Sequence, residues 1–144
     1  MIVDAHLDIA YNAIAEGRPF EGKPAPGYAL SRDTLIEAGV GLIFPTLFVA
    51  PDRRAFTETG SWTYRTPREA ALMAEAQVAY YRSVGLNLLR TAPEVRAYRS
   101  SWRRGRLAGV LLMESADPIV TPADLQLWLE RGVRVIGPAW SRTR

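Results

Sequence analysis

The sequence contains no cysteine, one histidine and one lysine, and each shortage excludes a kind of site. Without cysteine the chain has no disulfide, no thiolate metal ligand and no cysteine nucleophile. The single imidazole, His6, excludes any site that takes two histidines from this chain. The longest uncharged stretch, residues 38–51, has 14 residues, whereas a membrane-spanning helix needs about 20. The first eight residues carry two aspartates and His6 where an export signal would be apolar, so we expect a cytoplasmic protein without a membrane span.

The charge is nearly balanced, with 18 Lys+Arg against 15 Asp+Glu and a net charge of +3. This excess is too small to predict a nucleic-acid partner, because such proteins concentrate basic residues on one face. Arg96, Arg99 and Arg103 form one stripe of a predicted helix without an aromatic platform beside them. We interpret the stripe as a solvated outer face.

Apolar runs alternate with helix-start signals along the 144 residues, whose length predicts one domain. The predicted strands are 2–9, 40–49, 107–113 and 133–136. Helices are expected to begin at the caps Ser31, Thr66, Thr91 and Thr121, each near an acidic or polar first turn. Strands separated by helices predict an α/β fold with a parallel sheet.

The pair His6 and Asp8 is the first candidate site. Residues i and i+2 of a strand point to the same face, so this imidazole and carboxylate would project side by side. Nitrogen and oxygen together make half of a divalent-metal site. The alternative is a lone histidine whose neighbour satisfies its second nitrogen.

Glu114 is the second candidate, because it follows the buried run 109–113 directly. The carboxyl ends of parallel strands are where α/β proteins bind ligands. The alternative is a glutamate that has reached solvent at the end of a strand, and Asp117 nearby is interpreted as a turn residue. No phosphate-binding or serine-hydrolase motif is present.

Three segments resemble the membrane (renal) dipeptidase family of zinc metallopeptidases, in its bacterial branch. They are IVDAHLDIAYNA at 2–13, GVLLMESADPI at 109–119 and LERGVRVIG at 129–137. The segments occur in the family's order and at similar spacing, so the resemblance extends over essentially the whole chain.

The resemblance implies a (β/α)8 TIM barrel with two zinc ions at the carboxyl ends of its strands. By position, His6 and Asp8 correspond to the family's first-strand metal ligands, and Glu114 to the catalytic glutamate that bridges both ions. The implied activity is hydrolysis of dipeptides, with a small peptide as substrate. Such a barrel needs about 250 residues, so residues 1–144 are expected to be its N-terminal half, about four strand–helix units, truncated at the C-terminus. Because the family's other ligands lie downstream, we expect this fragment alone to be inactive.

One position departs from the family pattern. Many members have a substrate-binding histidine at the end of the fourth strand, and Trp140 stands there in this sequence as the predicted substrate-binding residue. Either this branch recognises substrate differently, or its substrate-side chemistry is altered. Two alternatives stay open: a related amidohydrolase for N-acyl amino acids, and a non-catalytic barrel homologue. The apolar edge strands of a half-barrel, 2–9 and 133–137, are also expected to aggregate or to pair two copies.

Overall fold

A computed structural model describes residues 1–24, 26–52 and 62–140, so the predicted truncation at Arg144 lies outside the described residues. Strands and helices alternate, as the sequence predicts. The strands are β1 (Ile2–Leu7), β2 (Val40–Leu47), β3 (Asn87–Leu88), β4 (Ala108–Gly109), β5 (Leu111–Met113) and β6 (Val133–Ile136). The helices are α1 (Ile9–Glu16), α2 (Arg32–Glu37), α3 (Pro67–Ser83), α4 (Ala92–Ser101) and α5 (Asp124–Arg131). Within the described part of the chain, none of these helices has the length and apolarity that crossing a membrane requires.

The strands form one parallel sheet with β2 at its centre. β1 pairs with one side of β2, while β4 and β5 pair with the other side. β6 pairs with β5, and β3 pairs with β4. The predicted α/β class with a parallel sheet is confirmed. Neighbours on both sides and burial on both faces explain why the sequence of β2 is almost entirely apolar.

The predicted strand over 107–113 is divided at Val110 into β4 and β5. The beginning of this strand lies beside β3 and its end lies beside β6, so its outer neighbour changes along its length. β3 was not predicted, because a strand of two residues has no periodicity to detect.

Capping boxes begin three of the helices at the predicted residues. The hydroxyls of Ser31, Thr66 and Thr91 each accept a hydrogen bond from the backbone N–H three residues later, and the side chain at that position bonds back. α4 ends at Ser101, and Gly105 lies in the following turn at φ +95°. The exposure of Arg96, Arg99 and Arg103 agrees with a solvated face.

The buried face of α3 differs in part from the stripe that helical spacing predicts, which is Met73, Ala76, Tyr80 and Val84. Met73 is buried, and Tyr80 and Val84 pack against the core, but Ala76 is exposed. The fully buried positions are Ala74, Gln77 and Tyr81. Gln77 and Tyr81 can be buried because their polar atoms bond the backbone carbonyls of Phe48 and Thr46.

α1 was not predicted. The strand expected over residues 2–9 ends at Leu7, and Asp8 becomes the N-cap residue of α1. The helix ends at Gly17, whose φ of +65° requires the conformational freedom of glycine. This early turn from strand to helix places Asp8 at the carboxyl end of β1.

Candidate metal centre

The three predicted ligands lie at the carboxyl ends of two strands. His6 is in β1, where the pairing with β2 is irregular between Asp4 and Leu7. An extra residue of this kind re-aims the side chains beside it. Asp8 follows β1 as the first residue of the turn into α1, and Glu114 follows β5. Because β1 and β5 are both neighbours of β2 and run parallel, their ends reach the same edge of the sheet.

The structure brings the three side chains together. His6 Nε2 lies 3.4 Å from Asp8 Oδ1 and 3.5 Å from Glu114 Oε2. One ligand atom from each residue can be chosen so that all three lie within 4.8 Å of one another. The geometry thus unites the residues that the sequence singled out, and their role as metal ligands stays a prediction.

Burial and mutual repulsion both disfavour two negative charges at this position. Burial raises the pKa of the Asp8 carboxyl above its ordinary value of 3.8, and the His6 imidazole partly opposes the shift. Burial also raises the pKa of the Glu114 carboxyl, and the charge of Asp8 adds to the rise. Asp8 Oδ1 is buried without a hydrogen-bond partner among the described residues. A bound cation would favour both ionised carboxylates and give this oxygen a partner.

The backbone of Glu114 is held from both sides. Its N–H donates to the carbonyl of Leu47 at 3.2 Å, and the N–H of Gly137 donates to the neighbouring carbonyl of Met113 at 2.8 Å. A Cβ atom on Gly137 would lie only 2.5 Å from the carbonyl oxygen of Glu114. The chain after β6 therefore passes so close to Glu114 that only glycine is accommodated.

The turn after Glu114 contains a buried hydrogen-bond cluster. Asp117, predicted as a turn residue, accepts hydrogen bonds from the hydroxyls of Tyr64 and Ser115. Its own N–H donates to Ser115 Oγ at 3.2 Å. Asp117 thus stabilises the turn, as predicted, and also connects it to Tyr64, a link that the sequence did not indicate.

Trp140 does not belong to the three-residue metal group. Its ring packs edge-on against Phe48, with 5.2 Å between centroids, just beyond the end of β2. Phe48 also contacts Tyr11 at 4.8 Å, and Tyr11 stacks on Trp62 at 5.6 Å. A row of four aromatic rings therefore lies at the same end of the sheet as the candidate ligands.

A cavity of about 300 Å³ adjoins His6 and Asp8. Asn12, Phe20 and Tyr28 line its other sides, so its wall combines polar and apolar groups. Residues 18–20 and 28–30, from a stretch rich in glycine and proline, contribute to this wall. No sequence pattern indicates a cavity here.

Comparison with known proteins gives matches in structure alone. No protein-family model matches the sequence, and no curated protein matches it. The solved structure of dipeptidase AC, a metallopeptidase of family M19, matches with a TM-score of 0.73 and 24% identity, over 98% of this chain and 44% of that one. A metallopeptidase from Rhodobacter sphaeroides, bound to a phosphinate mimic of the dipeptide L-Ala-D-Ala, matches with a TM-score of 0.74 and 23% identity, over 99% and 46%. The probable dipeptidase PvdM from Pseudomonas aeruginosa matches with a TM-score of 0.62 and 19% identity, over 93% of this chain and 33% of that one.

These matches show a shared fold. The parallel sheet aligns with the N-terminal part of barrel-fold dipeptidases of family M19, the membrane dipeptidase family. The resemblance inferred from three sequence segments is therefore confirmed as a structural match over nearly the whole chain. The chain spans less than half the length of the solved structures it matches.

Proposed function

We propose that this chain belongs to the membrane dipeptidase family and that His6, Asp8 and Glu114 are metal ligands of a zinc-dependent dipeptidase. The observation that carries the proposal is the convergence of one imidazole and two carboxylates at the sheet edge of a fold shared with M19 metallopeptidases. In this proposal residues 1–144 form the N-terminal half of the barrel domain, and the remaining ligands come from its second half.

The spacing of the donor atoms supports zinc. Zinc binds histidine nitrogen and carboxylate oxygen at about 2.0–2.2 Å, so two ligands of one tetrahedral ion lie about 3.3–3.6 Å apart. The distances from His6 Nε2 to the oxygens of Asp8 and Glu114, 3.4 and 3.5 Å, are within this range. Asp8 Oδ1 is buried, and its polar neighbour is the proposed ligand atom His6 Nε2.

Each ligand has a distinct task in the proposed reaction. Bound zinc would polarise a peptide carbonyl and make a water nucleophilic at neutral pH. His6 and Asp8 hold one metal position from the end of β1. Glu114, whose carboxylate has two oxygens, would hold that position and a second one.

The proposed substrate is a dipeptide. A structural relative was solved with a mimic of L-Ala-D-Ala bound. In this chain we propose that Trp140, packed on Phe48 at the end of the sheet, contacts the substrate with its ring. A half-exposed indole ring offers apolar area rather than charge, so this contact would favour an apolar side chain of the peptide.

Titration of the purified chain with Zn²⁺ and Co²⁺ tests the metal assignment. We expect weak binding at one site, no tight pair of sites and no dipeptidase turnover, because the described residues supply three ligands, of which one is an imidazole. Asp8→Asn and Glu114→Gln should each abolish the binding, whereas Glu130→Gln, a surface carboxylate on α5, should leave it unchanged. Unaltered binding in Asp8→Asn would remove the assignment.

A substrate panel tests the activity. It should be run on a form of the protein that includes the second half of the barrel, with dipeptides and N-acyl amino acids side by side. Hydrolysis of dipeptides that requires zinc supports the proposal. Cleavage of N-acyl amino acids alone would favour the amidohydrolase alternative, and cleavage of neither would favour a non-catalytic homologue.

A further inference from the structure

The N-terminus of α1 has an aspartate at its N-cap position but no side-chain cap. Asp8 is the N-cap residue, and aspartate is among the residues that most strongly cap helices, by accepting a hydrogen bond from the second or third N–H of the helix. Here the Asp8 side chain makes no such bond. Its carboxylate points instead toward His6 and Glu114.

A side chain from another helix takes the place of the missing cap. The backbone N–H of Ala10, the second residue of α1, donates to the hydroxyl oxygen of Tyr81 at 3.2 Å. Tyr81 lies in α3, 71 residues away, and its own O–H donates to the carbonyl of Thr46 in β2 at 2.8 Å. The hydroxyl is fully buried, and burial, with a smaller contribution from the charge of Asp8, raises the pKa of Tyr81 so that it stays protonated.

We propose that Tyr81 is a positioning residue for the metal ligand Asp8. By satisfying the Ala10 N–H, Tyr81 removes one of the two backbone donors that an N-cap carboxylate can use, and so favours the orientation of the Asp8 carboxylate toward the metal position. Through its bond to Thr46, the same hydroxyl fixes the start of α1 relative to β2. The inference rests on the proposed function, since the orientation of Asp8 matters only where Asp8 binds metal.

The arrangement has a clear physical reason. In this structure the Asp8 carboxylate meets His6 and makes no hydrogen bond to its own helix. An unsatisfied buried N–H is costly, so without another acceptor the carboxylate would turn toward the helix. The neutral hydroxyl of Tyr81 accepts the Ala10 N–H of α1 without adding a charge to a site that already holds two carboxylates.

A stability cycle on the metal-free chain tests the inference without reference to activity. The variants are Asp8→Ala, Tyr81→Phe and the two combined, each measured by urea denaturation. In the wild-type background Asp8→Ala should not destabilise the chain, since the carboxylate makes no cap. In the Tyr81→Phe background the carboxylate takes over the cap, so Asp8→Ala should raise the unfolding constant about fivefold. The inference would be overturned if Asp8→Ala changed the unfolding constant equally in both backgrounds. It would also be overturned if Asp8→Ala raised the unfolding constant fivefold in the wild-type background, a result that does not depend on whether Tyr81→Phe folds.

Co²⁺ titration followed by visible absorption then tests the link to metal. Tyr81→Phe should weaken Co²⁺ binding about tenfold or more and alter the ligand-field bands, as expected for loss of a group that orients a ligand. Tyr80→Phe is the matched control, because it also deletes a hydroxyl of α3 that accepts a backbone N–H, that of Phe20 at 3.0 Å. It should leave Co²⁺ binding unchanged. If Asp8→Asn binds Co²⁺ as tightly as the wild type, the proposed function is contradicted. If Asp8→Asn loses Co²⁺ binding but Tyr81→Phe keeps the wild-type affinity, only the positioning role is contradicted.

Discussion

Adding one methyl group at Gly137 is predicted to weaken both the fold and metal binding. The new Cβ would lie 2.5 Å from the carbonyl oxygen of Glu114, a backbone atom that cannot swing aside. The backbone at Gly137 and the backbone at Glu114 must move apart by about 0.5 Å for the distance from Cβ to oxygen to reach 3.0 Å. They must move apart by about 0.9 Å to reach ordinary contact at 3.4 Å. Gly137 does not have a positive φ, so this contact alone decides the outcome.

The size of the effect follows from that displacement. Overpacking of a well-packed region costs about 1–3 kcal/mol, and Gly137 also donates the 2.8 Å hydrogen bond to Met113 that joins β6 to β5. Metal–ligand distances tolerate about 0.2 Å of error, so a shift of Glu114 several times larger should lower zinc affinity about tenfold or more. Urea denaturation measures the first effect, and calorimetric zinc titration measures the second.

Gly132→Ala separates the local effect from general destabilisation. Gly132 ends α5 at φ +112°, and a Cβ there would meet only Arg90 Nε, at 3.6 Å. Backbone strain should cost this variant about 1–2 kcal/mol without moving Glu114, so its zinc affinity should equal that of the wild type. The reasoning fails if Gly137→Ala keeps full stability and full affinity, or if both variants lose affinity to the same degree.

Three further predictions concern other parts of the molecule. Gln77→Leu leaves the N–H and the carbonyl of Phe48 without their buried partner and should cost about 2–4 kcal/mol, measured by urea denaturation. Because the folded-state pKa of Asp8 is raised, its ionisation opposes folding at neutral pH, so Asp8→Asn should stabilise the metal-free chain at pH 7. The gain in the free energy of unfolding should vanish as the pH falls below 3.8, where the carboxyl is protonated in both the folded and the unfolded state. A gain in the free energy of unfolding that does not change with pH would contradict this prediction. β1 has one partner strand and exposes Ile2 and Val3, so the chain should sediment as aggregates or paired copies, and a compact monomer would refute the expectation of open apolar edges.

Features that depend on residues close together in the chain could be predicted from the sequence. The capping boxes at Ser31, Thr66 and Thr91 act within four residues, so their helix starts were predicted correctly. The buried run of β2 and the run that ends at Glu114 were likewise visible, because a strand covered on both faces must be apolar throughout. The parallel sheet followed from the order of these elements, and the placement of His6 and Glu114 at its edge followed from the parallel sheet.

The support of the site depends instead on contacts between residues far apart in the chain. Gln77 and Tyr81 of α3 are buried with their polar atoms bonded to backbone groups of residues 29 to 71 positions away. The closeness of Gly137 to Glu114 depends on how β6 packs beside β5, which no local pattern encodes. Asp8 shows the difference most directly. Locally it is a helix cap, and it becomes a candidate ligand because Tyr81, brought close by folding, satisfies the helix in its place.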